Sequence, residues 1–336
     1  MTYQEVLENA RKNILYCKAC PVCNGLACAN TIPGPGSKAP GNGANDNWKA
    51  WKDIKLNIDT FAPDGEVDTS ASILGRRLSM PLMTGPIGSF LQYSKEDVTT
   101  DFNEDTFNAA AQTGVIATFG DGIINTIVPV AMESLKKYPD TALVPILNPL
   151  PNDFILKYVE QIEASASLAL GVVVDSAGLR HWKERNHNPK TKTVEELREL
   201  KAATSKPFLI KGIMSAKAAV QAVEAGADAI IVSNHGGRVL PDAPATADVL
   251  PEIVSAVKGQ TQIIVDGGIR TGYDIFKALA LGADGALICR PFAVAWFGGG
   301  VEGEKVYIEK LKAELHEAMY LCGARSIGEI NAEMIR

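Results

Sequence analysis

Basic residues are not in excess in this chain: 33 Lys and Arg stand against 39 Asp and Glu, a net charge of −6. That leaves no electrostatic footprint for nucleic acid, and a small anion approaching such a field needs a local cationic pocket. No apolar run approaches the roughly 20 residues of a membrane span. Residues 1–6 lack the basic-then-apolar pattern of a secretory signal, so the expectation is a cytosolic chain with no membrane partner. Nor is the composition that of a disordered, collagen-like or disulfide-stapled chain, with 46% hydrophobic and 21% charged residues.

The chain does carry six cysteines, and their placement matters more than their number. Four lie within twelve residues, at Cys17, Cys20, Cys23 and Cys28, while Cys289 and Cys322 lie far off. Clustered thiols in a reducing compartment point to metal or redox chemistry before disulfides. The spacing approximates the one that wraps an iron–sulfur cluster. The same thiolates can hold zinc, although zinc pairs are usually separated by a longer loop, or can remain reduced thiols. The expectation is a 4Fe–4S cluster first and zinc second.

These cysteines belong to a distinct beginning. Residues 5–16 have helical spacing, and 31–44 are too rich in Gly and Pro for a helix interior or a central strand. Residues 1–70 therefore read as an N-terminal cap on a larger body, 71–336. In that body a rhythm sets in. Eight short apolar runs, at 81–85, 115–119, 143–147, 170–174, 207–210, 229–232, 262–265 and 285–288, are separated by helical patterns. Length alone suggests two domains, but fully apolar strands alternating with helices indicate a parallel sheet covered on both faces. Eight such units predict a closed (β/α)8 TIM barrel with a short Cys-rich cap and a C-terminal helix. The Lys-, Arg- and Asn-rich stretch 181–192 reads as an enlarged loop on the catalytic face.

A barrel keeps its chemistry where its strands end. The fifth run ends in Lys211, a cation that needs solvent or an anionic partner. The sixth ends Ser233-Asn-His235-Gly-Gly-Arg238: a proton-exchanging imidazole, two glycines that admit a ligand, and a guanidinium fork suited to a carboxylate. The seventh ends Asp266-Gly267-Gly268-Ile-Arg270 and opens a helix, and the eighth ends Cys289-Arg290. Glycine amides, a helix N-terminus and two arginines converge there as a phosphate site.

These segments, with Lys277-Ala-Leu-Ala-Leu-Gly-Ala283 and Ser79-Met-Pro-Leu-Met-Thr-Gly-Pro86, resemble the FMN-dependent α-hydroxy-acid oxidase and dehydrogenase family, glycolate and lactate oxidases among them. The resemblance is densest over 208–330 and covers most of the chain. It implies FMN as cofactor and oxidation of a small, L-lactate-like 2-hydroxy acid to the 2-oxo acid. His235 would be the base, taking a proton as a hydride equivalent reaches flavin N5, and Asp175 would pair with it. Arg238 would hold the substrate carboxylate, and Lys211 would stabilise the reduced ring. Arg270 and Arg290, with the Gly267 and Gly268 amides, would take the phosphate. Pro86, Ile87 and Gly88 would lie along the flavin, with Ser233 and Asp266 completing its site. Tetramers or octamers are common in the family, and a cluster in the cap would imply an electron carrier.

Three departures stand out. The second carboxylate-binding arginine expected after Asp175 has only Arg180, about two residues out of register. The third strand ends Val144-Pro-Ile-Leu-Asn148 where relatives have Gln and Tyr. The cysteine-rich cap replaces the N-terminal segment that carries a substrate tyrosine. Other readings are an FMN isomerase or reductase like type 2 isopentenyl-diphosphate isomerase, a phosphate-binding barrel of the IMP dehydrogenase kind, and a flavin redox sensor. The paired His235 and Arg238 argue against the first. The second would need a nucleophilic cysteine where His235 stands.

Overall fold

The computed structural model describes all residues except 33, 60, 62, 63, 123–125 and 180–188. Eight parallel strands close a ring: β3 (Leu82–Thr84), β4 (Ile116–Gly120), β5 (Ala142–Leu147), β6 (Leu170–Val173), β7 (Phe208–Ile213), β8 (Ala229–Val232), β9 (Gln262–Asp266) and β10 (Gly285–Ile288), with β10 pairing back onto β3. Successive side chains point to opposite faces of a strand. Met83, Ile116, Val144, Ile146, Leu209, Ile231, Ile264 and Leu287 accordingly fill the barrel. Their neighbours Phe119, Leu143, Val172, Phe208, Ile230, Ile263 and Ile288 pack outward against the helices. Strands apolar on both faces are what this burial demands.

An antiparallel hairpin that the periodicity did not announce, β1 (Ala71–Ile73) and β2 (Arg76–Leu78), closes the floor. Ile73 and Leu78 drop into the barrel cluster there, and a Cβ on Gly285 would come within 2.6 Å of Ile73 Cδ1. The helices between strands are α3 (Thr99–Thr113), α4 (Ile127–Leu135), α5 (Asn152–Glu163), α6 (Val194–Ala202), α7 (Ala216–Glu224), α8 (Thr246–Val257) and α9 (Gly272–Ala280). The last helix, α10 (Arg290–Cys322), breaks at Gly299 and Gly300, the latter at φ 55°.

Two helices precede the barrel. In α1 (Tyr3–Asn13) a Thr2–Glu5 capping box sets the start and Ile14 turns extended, so the helix ends before Tyr16, short of the expected 5–16. It lies on α10 where Gly298 leaves room: a Cβ there would sit 2.2 Å from the Val6 carbonyl oxygen. The second, α2 (Gly43–Asp53), begins where the Gly/Pro-rich segment was expected to remain irregular and crosses the barrel mouth.

Candidate active site

A cavity of about 350 Å³ opens at the carboxyl ends of the strands and is lined by ends of β3 to β10. Its floor holds a buried charge pair. Lys211 Nζ on β7 lies 3.0 Å from Asp266 Oδ2 at the end of β9. Ser233 bridges them, accepting from Lys211 at 2.7 Å and donating to Asp266 at 2.8 Å. Burial works against both charges, yet the two ions outweigh it. Asp266, and beyond it Asp175, holds the Lys211 ammonium above its usual range, while Lys211 keeps the Asp266 carboxyl below its own. Lys211 is thus a fixed internal cation, 3% exposed, and does not snorkel to solvent.

His235 follows β8 with φ at 56°, the left-handed region that side chains seldom adopt. Its backbone amide donates to Ser233 Oγ at 3.1 Å. Its Nδ1 lies 3.0 Å from Asp175 Oδ1 in the single turn after β6. That contact assigns the proton to Nδ1 and leaves Nε2 as an acceptor. Gly236 suits its place because its φ of 64° lies in the left-handed region that side chains seldom adopt, and its bare Cα lets the Arg290 guanidinium come close.

Arg238 reaches back under the cap. Its Nη1 donates to the carbonyls of Gly34 and Gly36 at 2.6 and 3.0 Å, and its Nη2 to Gln92 Oε1 at 2.7 Å. Burial, with the Arg290 cation adding to it, pushes its guanidinium down to about 10. Gln92 was not singled out by the sequence. It sits on the loop after β3, which the rings of Phe90, Phe102, Trp296 and Phe297 pin in place.

The arginines after β9 and β10 are the cofactor test. Arg270 Nη2 and Arg290 Nη1 are buried with no partner, and both side chains line the cavity beside Gly267 and Gly268. Two desolvated, unsatisfied guanidinium donors are costly unless an anion joins them, and their fork geometry suits a phosphate. Pro86, Ile87 and Gly88 line the same cavity along β3. The residues fit FMN: Arg270 and Arg290 would hold its phosphate, and Lys211 with Ser233 would supply a fixed positive charge toward its ring.

The cap shapes this site through α2. Asn47 and Asn234 exchange amide hydrogen bonds at 2.8 and 3.1 Å. Trp51 Nε1 donates to the Gly267 carbonyl at 2.8 Å, and Lys52 pairs with buried Asp274 on α9 at 2.6 Å. One helix therefore clamps the loops that carry His235 and the phosphate donors.

The expectation of a metal at the cysteines finds no support. Cys17, Cys20, Cys23 and Cys28 are free thiols, and among the described residues no group of three or more His, Cys, Asp or Glu side chains is placed to hold a metal ion. The chain here makes other contacts. The Cys23 carbonyl accepts from Arg270 Nε at 2.8 Å, and the Cys28 thiol faces the Gly25 carbonyl. Burial pushes the Cys17 thiol up to about 11 and raises Cys20 and Cys28. At Cys23, Arg270 and Arg290 outweigh burial and lower it. Arg180 lies outside the described residues. Every other predicted flavin, base and carboxylate residue except Asp175 and Ser233 lines the cavity itself, and those two contact residues that do.

The FMN-dependent dehydrogenase family model matches residues 36–194 and 184–336. A peroxisomal (S)-2-hydroxyacid oxidase of Arabidopsis thaliana is 31% identical over 333 residues, covering 87% of each chain. 2-Hydroxyacid oxidase 2 of Homo sapiens is 31% identical over 328 residues, covering 87% of this chain and 89% of its own. Among solved structures, a mandelate oxidase variant with 2-hydroxy-phenylacetamide superposes with a TM-score of 0.79 at 27% identity, covering 100% of this chain and 97% of that one. A variant carrying a C4a-OH-FMN adduct gives 0.78 at 28%, covering 98% and 97%.

Proposed function

The chain belongs to the FMN-dependent dehydrogenase family as a 2-hydroxy-acid oxidase, and from that premise we propose a small, L-lactate-like acid as its substrate and dioxygen as its acceptor. The observation that carries the reading is the joint presence of His235, held by Asp175, and half-buried Arg238 in one cavity with two unsatisfied arginines suited to a phosphate. Arg238 neutralises the substrate carboxylate, giving up part of its hold on Gln92 and the cap carbonyls. His235 Nε2 takes the proton of the 2-hydroxyl, and Asp175 stabilises the imidazolium that results. When bound, FMN supplies the two-electron acceptor that dioxygen regenerates. Lys211 keeps a fixed positive charge under that site throughout the cycle.

Leu91, Ile146, Val173 and Leu179 form the apolar part of the cavity wall, which suits a short aliphatic side chain. Residues 1–70 act as a cap over the 71–336 barrel. Exposed Leu15, Tyr16, Val22 and Leu26 on that cap support burial in a homo-oligomer, a tetramer or octamer. The free thiols support a cytosolic site.

The test is a panel of (S)- and (R)-2-hydroxy acids assayed for 2-oxo acid and hydrogen peroxide. The expected result is the highest kcat/KM with (S)-lactate and one peroxide per oxo acid. A clear preference for mandelate or glycolate overturns the substrate reading, and oxo acid formed only with an added electron carrier overturns dioxygen.

A further inference from the structure

Behind the cavity wall stands a buried polar chain that the reaction as described does not use. Asn148, the residue after β5, lines the cavity and is 7% exposed. Its side-chain oxygen accepts from Ser176 Oγ at 3.0 Å. Its amide nitrogen donates to Asp121 Oδ1 in a short bond, and its backbone amide donates to the same oxygen at 3.0 Å. Asp121 is 4% exposed and Ser176 fully buried. An amide is otherwise free to turn over, exchanging its oxygen and nitrogen at little steric cost. Here the Asp121 carboxylate, which only accepts, selects the nitrogen, and the Ser176 hydroxyl, able to donate or accept, then donates to the oxygen. The second hydrogen of that nitrogen has no acceptor among the described residues.

The chain is tied to the base. Ser176 follows Asp175 in the same turn, so adjacent residues orient His235 and Asn148.

We propose that Asn148 is a substrate-binding residue that donates its free amide hydrogen to an oxygen of the bound 2-hydroxy acid, with Asp121 and Ser176 as the positioning residues that fix its orientation. This rests on the hydroxy-acid reading above and adds a specificity element to it. A buried carboxylate is a costly way to hold an amide. Burial pushes Asp121 up to about 7 against the hydrogen bonds from Asn148, so its protonation near neutrality changes what it can accept and give. The titratable group facing it from α5 is Tyr158, whose phenol burial, and after it Asp121, pushes upward. On the far side of Asn148 stands the Asp175–His235 pair. Once Asp121 is protonated it can donate as well as accept, and the amide loses its preferred orientation. Substrate binding therefore weakens as pH falls through about 7.

The experiment uses the flavin-loaded enzyme and two readouts. One is the dissociation constant of an unreactive 2-oxo acid, followed by flavin absorbance across pH. The other is anaerobic flavin reduction by (S)-lactate, which separates binding from the reductive rate. Asp121→Asn can donate to the Asn148 oxygen and so permits the flipped amide. It should raise both dissociation constants by roughly tenfold, leave the limiting rate within about twofold, and abolish the pH dependence near 7. Asn148→Ala, which leaves Asp121 the hydrogen bond from the backbone amide at position 148, should weaken binding equally, and the double variant should add nothing further. Unchanged binding in Asn148→Ala overturns the proposal, as does a wild-type pH profile in Asp121→Asn. A wild-type enzyme reduced by no 2-hydroxy acid contradicts the hydroxy-acid reading instead, and the 2-oxo acid measurement still tests the amide.

Discussion

At the level of single residues, the chemistry depends on groups whose charge the fold has settled in advance. Lys211 is charged despite its burial because Asp266 lies 3.0 Å away. Lys211→Met would leave Asp266 uncompensated, and breaking a buried pair from one side costs about 3–5 kcal/mol. A lowered melting temperature together with weaker flavin retention is the expected outcome, and equilibrium dialysis of FMN reads the second. His235→Gln keeps a hydrogen-bonding side chain but removes the base. It should cut kcat by about 10²–10⁴ with FMN binding unchanged, and a near wild-type rate would remove His235 from the reaction. Ser-Asn-His-Gly-Gly-Arg was legible in the sequence because its residue types are chemically unusual at a strand end. Gln92 was not, since a glutamine in a loop acquires meaning only when Arg238 is seen to donate to it.

Among the elements, the barrel strands were the easiest to read, because burial on both faces leaves an uninterrupted apolar run. The floor hairpin was hidden for the opposite reason: Ser72, Arg76 and Arg77 are exposed, and only Ile73 and Leu78 betray the buried side. Helix α2 was masked by the glycines and Pro40 before it, though Trp48 and Trp51 fall on one turn. Its clamp makes a prediction. Trp51 is fully buried, so Trp51→Ala should cost about 3–5 kcal/mol and release the Gly267 carbonyl, loosening FMN as well as lowering the melting midpoint. Loss of stability with unaltered FMN affinity would show that α2 only packs. Glu304 of α10 is fully buried against Thr106 of α3 at 2.9 Å, and burial raises its carboxyl well above the usual range. The folded state then holds a proton the unfolded chain releases, so its contribution to stability falls as pH rises above the unfolded value. Glu304→Gln should flatten that decline in a series of melting curves between mildly acidic and mildly alkaline pH, and an unchanged slope would assign the decline elsewhere.

Across the whole molecule, one cavity gathers residues from strands and loops that lie up to 204 positions apart, from Pro86 to Arg290. The closed barrel brings the strand ends together, and the cap completes them by holding Arg238 and Arg270 through main-chain carbonyls. Cysteine spacing suggested a metal because sequence reports only that thiols are close along the chain. It does not report that an arginine has claimed the Cys23 carbonyl and faces its thiol. Protein purified without oxygen should accordingly contain flavin and no stoichiometric iron, zinc or acid-labile sulfide, which elemental analysis checks. The most direct test of the whole account is anaerobic addition of (S)-lactate to the flavin-loaded enzyme, watching the flavin's visible absorbance. Bleaching in the wild type and none in His235→Gln is the predicted result. A flavin that stays oxidised with every 2-hydroxy acid, or bleaches equally without His235, would contradict it.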